Sequence, residues 1–358
     1  MGLSRIAPNS SYLGLLLFRT SQKKDFNFLV EQLDSKLAGW KARTLSKAKT
    51  LILIKSVAFA VPTYSMQTIK ILATICSKLD ARIRSFWWGT SSNGWNPICL
   101  KAWDAICKSK SQCGLGFHKR RDFNLALLSK WGWNILTGMN SLCLSVFRAR
   151  YLHNTKFFET NPKVRDSRFW KAILSLKELL WEGAYYIVGD DQWVWTPMSN
   201  GKFSTRYAYL LYNKLRFTEN NQIPKEIWLK VWGHKRLLPH HKLNWWQFLS
   251  NTFPTREKLN SRFWLASPWS IRTKLLSCCF SLEGLQFLWS LEARDNSPNR
   301  MDVGDQNSFL FTSVLLDLLW QHINSITHGG TSLDLAFLFE KISKNYADIE
   351  DILPRASP

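Results

Sequence analysis

Acidic side chains are scarce in this chain of 358 residues: 26 Asp and Glu face 48 Lys and Arg, a formal net charge of +22. The shortage is uneven. Residues 1–180 carry 29 basic against 9 acidic side chains, residues 181–275 carry 14 against 6, and residues 276–358 reverse the balance with 5 against 11. A polyanion is therefore expected on the first half, because phosphate neutralisation dominates nucleic-acid affinity; the plainer alternative is a solvated basic surface. Long apolar runs are missing as well. The longest, around Leu51 to Val61, is too short to span a bilayer and is interrupted by Lys55, which excludes a membrane partner. No cleavable signal sequence is apparent, and the seven cysteines (Cys76, Cys99, Cys107, Cys113, Cys143, Cys278 and Cys279) are odd in number and irregularly spaced. Free thiols in a reducing compartment, and a soluble intracellular protein, are expected. Phosphate-loop wording is absent too, since Gly114-Leu115-Gly116 has no GxxG or GK[ST] after it and reads as a turn before a helix. Tryptophan, by contrast, is abundant at 19 residues, enough large rings to serve as core posts or stacking surfaces.

The stretch Leu37 to Gln67 contains no acidic residue at all. Its apolar positions, Leu45, Ala48, Leu51, Ile52, Ile54, Val57, Ala58 and Val61, fall at helical spacing among Lys41, Arg43, Lys47, Lys49 and Lys55. The spacing predicts one long basic helix stopped at about Val61, because Pro62 cannot continue the ladder. Before it, Tyr12 to Phe18 reads as a single strand, and Asp25 to Ala38 as a helix ending at Gly39. After it, Ile69, Leu72, Ile75, Cys76, Leu79, Ile83, Phe86, Trp87 and Trp88 predict a third helix ending at Gly89, with Lys78, Arg82 and Arg84 beside the tryptophans. At least one of Trp87 and Trp88 is expected in the core. Lys119, Arg120 and Arg121 make the approach to the next helix strongly basic.

Tyr12-Leu13-Gly14-Leu15, Leu37 to Trp40, Leu45-Ser46, Leu53 to Val57 and Pro62 to Gln67 carry a family likeness. So do Ile98 to Trp103, Cys107, Gly114 to Gly116 and Asn124 to Trp131. This wording resembles the part just after the polymerase core in reverse transcriptases of plant LINE-type (non-LTR) retrotransposons. The resemblance implies a helical thumb that grips the template-primer duplex, with Lys41, Arg43, Lys47, Lys49, Lys55, Lys78, Arg82, Arg84, Lys119, Arg120 and Arg121 as candidate nucleic-acid contacts. It also implies a nuclear setting, and larger members commonly continue into a ribonuclease H domain.

From residue 143 to 181, aromatics at helical spacing suggest a helical connector. Gln192 to Trp195 then alternates, Ser199-Asn200-Gly201 marks a turn and Lys202 to Ser204 returns, predicting a hairpin near 192–204, with a helix from Tyr207 to Tyr212. Asp190-Asp191 invites a metal-binding reading, since two-metal phosphoryl transfer needs clustered carboxylates. Following Val188-Gly189 with no palm-like sequence ahead of it, the pair reads as a solvated turn.

Ile227-Trp228, Pro239-His240-His241-Lys242, Trp246 and Leu249 to Arg262 resemble the zinc-binding module near the end of the same plant proteins. That module draws its ligands from a C-x-x-C pair, a His and a final Cys. Here Cys278 and Cys279 are adjacent, as remnants, and the segment Glu283 to Glu292 offers neither His nor Cys. Zinc, and any other cofactor, is therefore not expected. His234, His240 and His241 offer alternative ligands, but read first as basic-surface or packing residues.

The expected fold is mainly α. It comprises a residual strand (1–20), a helical thumb-like bundle (21–135), a helical connector with a small β-hairpin (136–222), a small helical zinc-binding-like module (223–295) and an acidic C-terminal linker and helix (296–358). The expected function is a nucleic-acid-binding fragment of a reverse transcriptase, holding RNA or an RNA–DNA duplex; a first alternative is a binding subunit that positions the duplex for a separate polymerase. It is not expected to be an enzyme, because palm and ribonuclease H residues are not found. A second alternative is a non-catalytic interaction protein or the inert product of a decayed element.

Overall fold

The computed structural model describes residues 11–12, 15–16, 24–41, 45–89, 99–153, 155–189, 191–214 and 223–252, with short pieces at 313–314, 317–318, 321, 340–341, 344–345 and 348. The fold is mainly α. It divides into two compact units, one of residues 1–98, 106–108 and 115–221, the other of residues 99–105, 109–114 and 222–358. Among the described residues, no helix is long and apolar enough to cross a membrane.

In the first unit, the run expected as one strand is a pair of two-residue strands, β1 (Ser11–Tyr12) and β2 (Leu15–Leu16), paired antiparallel. Helix α1 (Lys24–Lys41) passes through Gly39 instead of stopping there. It buries Phe26, Leu29, Leu33 and Leu37 and packs on α4 (Ala73–Trp88). That helix matches its expectation closely. Ile75, Cys76, Leu79, Ile83, Phe86 and Trp87 are buried along one stripe, and Gly89 ends it at φ +93°, a conformation that a side chain resists.

The single basic helix expected up to Val61 starts only at Lys47 and is two pieces, a short α-helix and a π turn. Ser46 caps α2 (Lys47–Leu53), its hydroxyl accepting from the Lys49 N–H at 3.3 Å, an interaction worth about 1 kcal/mol. A π-helical turn follows at Ile54–Ala58, closed by the Phe59 N–H on the Ile54 carbonyl at 3.0 Å. The wider turn brings Ile54, Ala58 and Phe59 all into the core. Pro62 then stands as the N-cap of α3 (Thr63–Thr68), where its missing N–H costs nothing.

Two short helical pieces lead on: α5 (Trp103–Cys107), then, after a 3-10 turn at Lys110–Gln112, the central helix α6 (Arg120–Leu136). Its neighbours in the first unit include α3, α4, α7 (Leu142–Tyr151), α8 (Arg168–Leu174), α9 (Lys177–Gly183) and α10 (Thr205–Lys214). Ser141 and Ser167 cap α7 and α8 through their hydroxyls. Asn124 of α6 is buried and fully engaged. Its Oδ1 accepts from the Ile71 N–H at 2.8 Å, and its Nδ2 donates to the Met66 and Ile69 carbonyls at 2.7 and 2.8 Å, closing the link between α3 and α4. Gly132 lets α9 approach: a Cβ there would lie 2.4 Å from the Leu180 side chain.

The hairpin is real, but its partner strand is not the one expected. Strand β4 (Gln192–Trp195) pairs with β3 (Ala184–Ile187), not with residues 202–204, which form no strand. The turn between them spans 188–191, where Gly189 (φ +114°) and Asp191 (φ +48°) adopt left-handed backbone. Asp191 is exposed there and accepts from the Tyr186 hydroxyl at 2.8 Å; Asp190 lies outside the described residues. Trp195 is fully buried, edge-on to Trp133 and tilted against Phe203.

In the second unit, α11 (Lys225–Gly233) and α12 (Pro239–Leu249) bury Trp228, Val231, Leu243, Trp245 and Trp246. Lys110 lies over the Trp232 ring at 4.3 Å, and the Trp246 indole N–H donates to the Cys113 carbonyl at 3.1 Å. Cys278 and Cys279, the remnant of the zinc motif, lie outside the described residues.

Candidate nucleic-acid interface

Helical geometry distributes the expected cations unevenly. On α4, Lys78 and Arg82 are four residues apart and share one flank of the buried stripe, whereas Arg84 lies on the other. All three are exposed. Arg82 forms an ion pair with Asp34 of α1 at 2.9 Å, and with both partners about half exposed it contributes little to stability. Part of its charge is thereby offset.

Lys49 is exposed on α2. Lys47 is exposed along its stem, but its ammonium folds back to donate to the Trp87 carbonyl at 2.6 Å and rests 5.3 Å from the Trp87 ring centre. Burial of the ammonium lowers its pKa to about 8. Trp87 is a core residue; Trp88, half-buried with its ring edge-on at 6.3 Å, is the member of the pair that reaches the surface. Lys41 ends α1, and its side chain, like the whole of Arg43, lies outside the described residues.

A second group gathers where the chain enters α6. Lys55, on the π turn, brings its ammonium to 3.5 Å from the Cβ position of Gly116. Phe59 packs edge-on against Phe117 at 5.5 Å and also meets His118. Burial, then Arg120 and Lys55, lower His118 to about 4, so it is neutral at neutral pH. Lys119 is half-buried and Arg121 is exposed.

Arg120 must be corrected. It is fully buried, its guanidinium 4.0 Å from the Phe59 ring centre and donating to the carbonyls of Phe59 (3.3 Å) and His118 (3.0 Å). Its Nε lies 3.9 Å from the Asp80 carboxylate, and its backbone N–H donates to that carboxylate at 3.2 Å. Asp80 thus occupies the N-terminus of α6, where an anion is favoured. Burial pushes Asp80 up to about 6, with Arg120 acting in the opposite direction. At about 100° per residue, Arg121 turns outward between the buried Arg120 and Asp122. Arg120 holds the fold together and does not meet solvent.

One cation escaped sequence reading. Lys70, exposed in the link between α3 and α4, donates to the Ser175 hydroxyl at 2.9 Å. Its pKa is lowered by burial and then by the nearby charge of Arg121. Lys70 and Arg121 are thus neighbouring cations from separate elements, and the sequence signal for Lys70 was its place three residues after the resembling segment Pro62 to Gln67.

No family model matches the chain. It is similar to the Arabidopsis thaliana protein named "Putative ribonuclease H protein At1g65750", 30% identical over 234 residues that make up 63% of this chain and 37% of that relative's length. The chain therefore spans little more than a third of that protein. This likeness corrects the expectation that the chain is not an enzyme: a relative at this identity bears an enzyme's name, and the missing motifs do not outweigh it. A second relative, the Arabidopsis thaliana "Uncharacterized mitochondrial protein AtMg00310", is 32% identical over 144 residues, 38% of this chain. Because that match takes in 93% of the relative's length, the chain belongs to the family of the Arabidopsis mitochondrial protein AtMg00310.

Proposed function

We propose that this chain is part of a plant retroelement protein and that its first unit holds nucleic acid, an RNA–DNA duplex in particular. The observation that carries this reading is the set of exposed cations on separate elements of one unit: Lys49, Lys78, Arg84, Arg121 and Lys70. They lie within residues 1–180, where 29 basic side chains face 9 acidic ones. Phosphates are neutralised by such side chains without regard to sequence, while Trp88 offers an aromatic edge beside them. Two further considerations support the reading: the wording shared with reverse-transcriptase thumbs, and a relative named for a nuclease, whose substrate is nucleic acid. On this reading α2, the π turn and α4 correspond to the thumb.

The test is anisotropy of a labelled RNA–DNA duplex titrated with the purified chain at several salt concentrations. The logarithm of the affinity is expected to fall linearly with the logarithm of salt, by about 0.7–0.9 per phosphate contact. Affinity that is negligible at low salt, or indifferent to salt, overturns the proposal.

A further inference from the structure

A cluster of donor groups in the second unit lies apart from the basic face. His240 and His241, in the first turn of α12, meet Asp317, and one donor atom from each lies within 4.8 Å of the other two. The two imidazole rings are 4.1 Å apart, and the His240 Nε2 is 3.8 Å from the Asp317 Oδ2. His241 is 98% buried, 2% of it being exposed, and its Nδ1 has no hydrogen-bond partner among the described residues. Leaving a buried ring nitrogen unsatisfied is unfavourable, so such an atom calls for an explanation.

The carboxylate is already oriented. The Asn244 Nδ2 donates to the Asp317 Oδ1 at 2.7 Å, and the Gln321 Nε2 donates to its Oδ2 at 2.8 Å. Asn244 lies four residues after His240, one helical turn further along α12. Amides that fix a carboxylate in this way are the usual outer support of a metal ligand. Asp317 retains lone pairs for a cation, because a carboxylate offers about four acceptor positions.

We propose that His240, His241 and Asp317 bind one divalent transition-metal ion, of which Zn²⁺ is the best fit. Two imidazole nitrogens and one carboxylate oxygen form a donor set that zinc accepts, with water in the fourth position of the tetrahedron. Atoms bonded to one tetrahedral zinc at about 2.1 Å lie about 3.4 Å apart, so the donors must close by roughly 1 Å. The His240 side chain, 44% exposed, is free to make that rotation, while the buried His241 and the amide-held Asp317 stay in place. The ion ties α12 to the segment around residue 317 and gives the buried His241 a partner. The set is separate from Cys278 and Cys279, on which the expectation of no zinc rested.

The experiment is calorimetric titration of the chelator-treated full chain with ZnCl₂, paired with visible absorption on adding Co²⁺. One equivalent of zinc is expected, with intense tetrahedral cobalt bands. His240→Gln and Asp317→Asn each abolish the stoichiometric binding, Asn244→Ala weakens it by about 10–100-fold, and the double variant Cys278→Ser, Cys279→Ser leaves it unchanged. Zinc also raises the unfolding temperature of the parent chain and not that of Asp317→Asn, whose circular dichroism shows whether it is folded. The proposal is overturned if the parent binds no zinc at one equivalent. It is overturned equally if His240→Gln and Asp317→Asn, both folded, bind like the parent, or if the cysteine variant alone loses the metal.

Discussion

Substituting methionine for Arg120 removes a guanidinium that reaches no solvent and leaves its partner behind. Asp80, with 16% of its side chain exposed, keeps the backbone N–H at residue 120 and the nearby charge of Lys119. Breaking a buried pair from one side costs about 3–5 kcal/mol, and the lower end applies here because Asp80 is partly exposed and can take up a proton. Asp80 has its folded pKa raised to about 6 from the ordinary 3.8. The folded state therefore binds its proton more tightly than the unfolded chain, so its contribution is present at pH 4 and is lost as pH rises through 6. Without Arg120, that loss extends to higher pH. The destabilisation of Arg120→Met is thus largest at pH 7 and shrinks toward pH 4.5, and adding Asp80→Asn recovers much of it. His118, lowered to about 4 by burial and then by Arg120, titrates in the same window with the opposite sign; removing Arg120 lets its pKa rise, which shrinks the destabilisation of Arg120→Met further at low pH. Urea unfolding followed by tryptophan fluorescence supplies the stabilities, and duplex anisotropy supplies the salt slope. A slope lower by about 0.7–0.9 with an unchanged urea midpoint would show that Arg120 meets phosphate and refute this argument.

The reverse pattern is expected on α4. Lys78→Gln and Arg84→Gln each lower the salt slope of duplex binding by up to about one unit and leave the urea midpoint within about 0.5 kcal/mol of the parent; a slope unchanged in both variants excludes this helix from the interface. Asn124→Ala strands one N–H and two carbonyls, at Ile71, Met66 and Ile69, and is expected to cost about 2–5 kcal/mol in urea unfolding. A loss under about 1 kcal/mol means that water replaces the amide there.

Helix α4 was legible because its buried positions recur at 3 and 4 residues up to a glycine stop. The division of the basic stretch was not. Ser46 is a good capping residue, but it lacks the acidic partner three positions on that usually marks a helix start; Lys49 stands there instead. The hairpin was half legible. Gln192 to Trp195 alternates plainly, whereas Ala184 to Ile187 is a run of apolar and aromatic residues that continues the pattern of α9, and Ser199-Asn200-Gly201 looked the better turn. On the candidate interface, charge composition pointed to the first half of the chain, where the exposed cations of the proposed face lie. It could not reveal that Arg120 turns inward, or that Lys70 and Arg121 become neighbours, because both depend on where α6 begins and what packs over its first turn.

The folded-back ammonium of Lys47 has a consequence for proton exchange. With a pKa of about 8, close to half of these side chains are uncharged at pH 8, whereas an ordinary surface lysine is almost wholly protonated there. On the proposed reading, phosphates arriving beside the end of α4 favour the protonated form, so the duplex and a proton reinforce one another's binding. Lys47 is then less a fixed anchor than a point where acidity and nucleic-acid affinity are thermodynamically coupled.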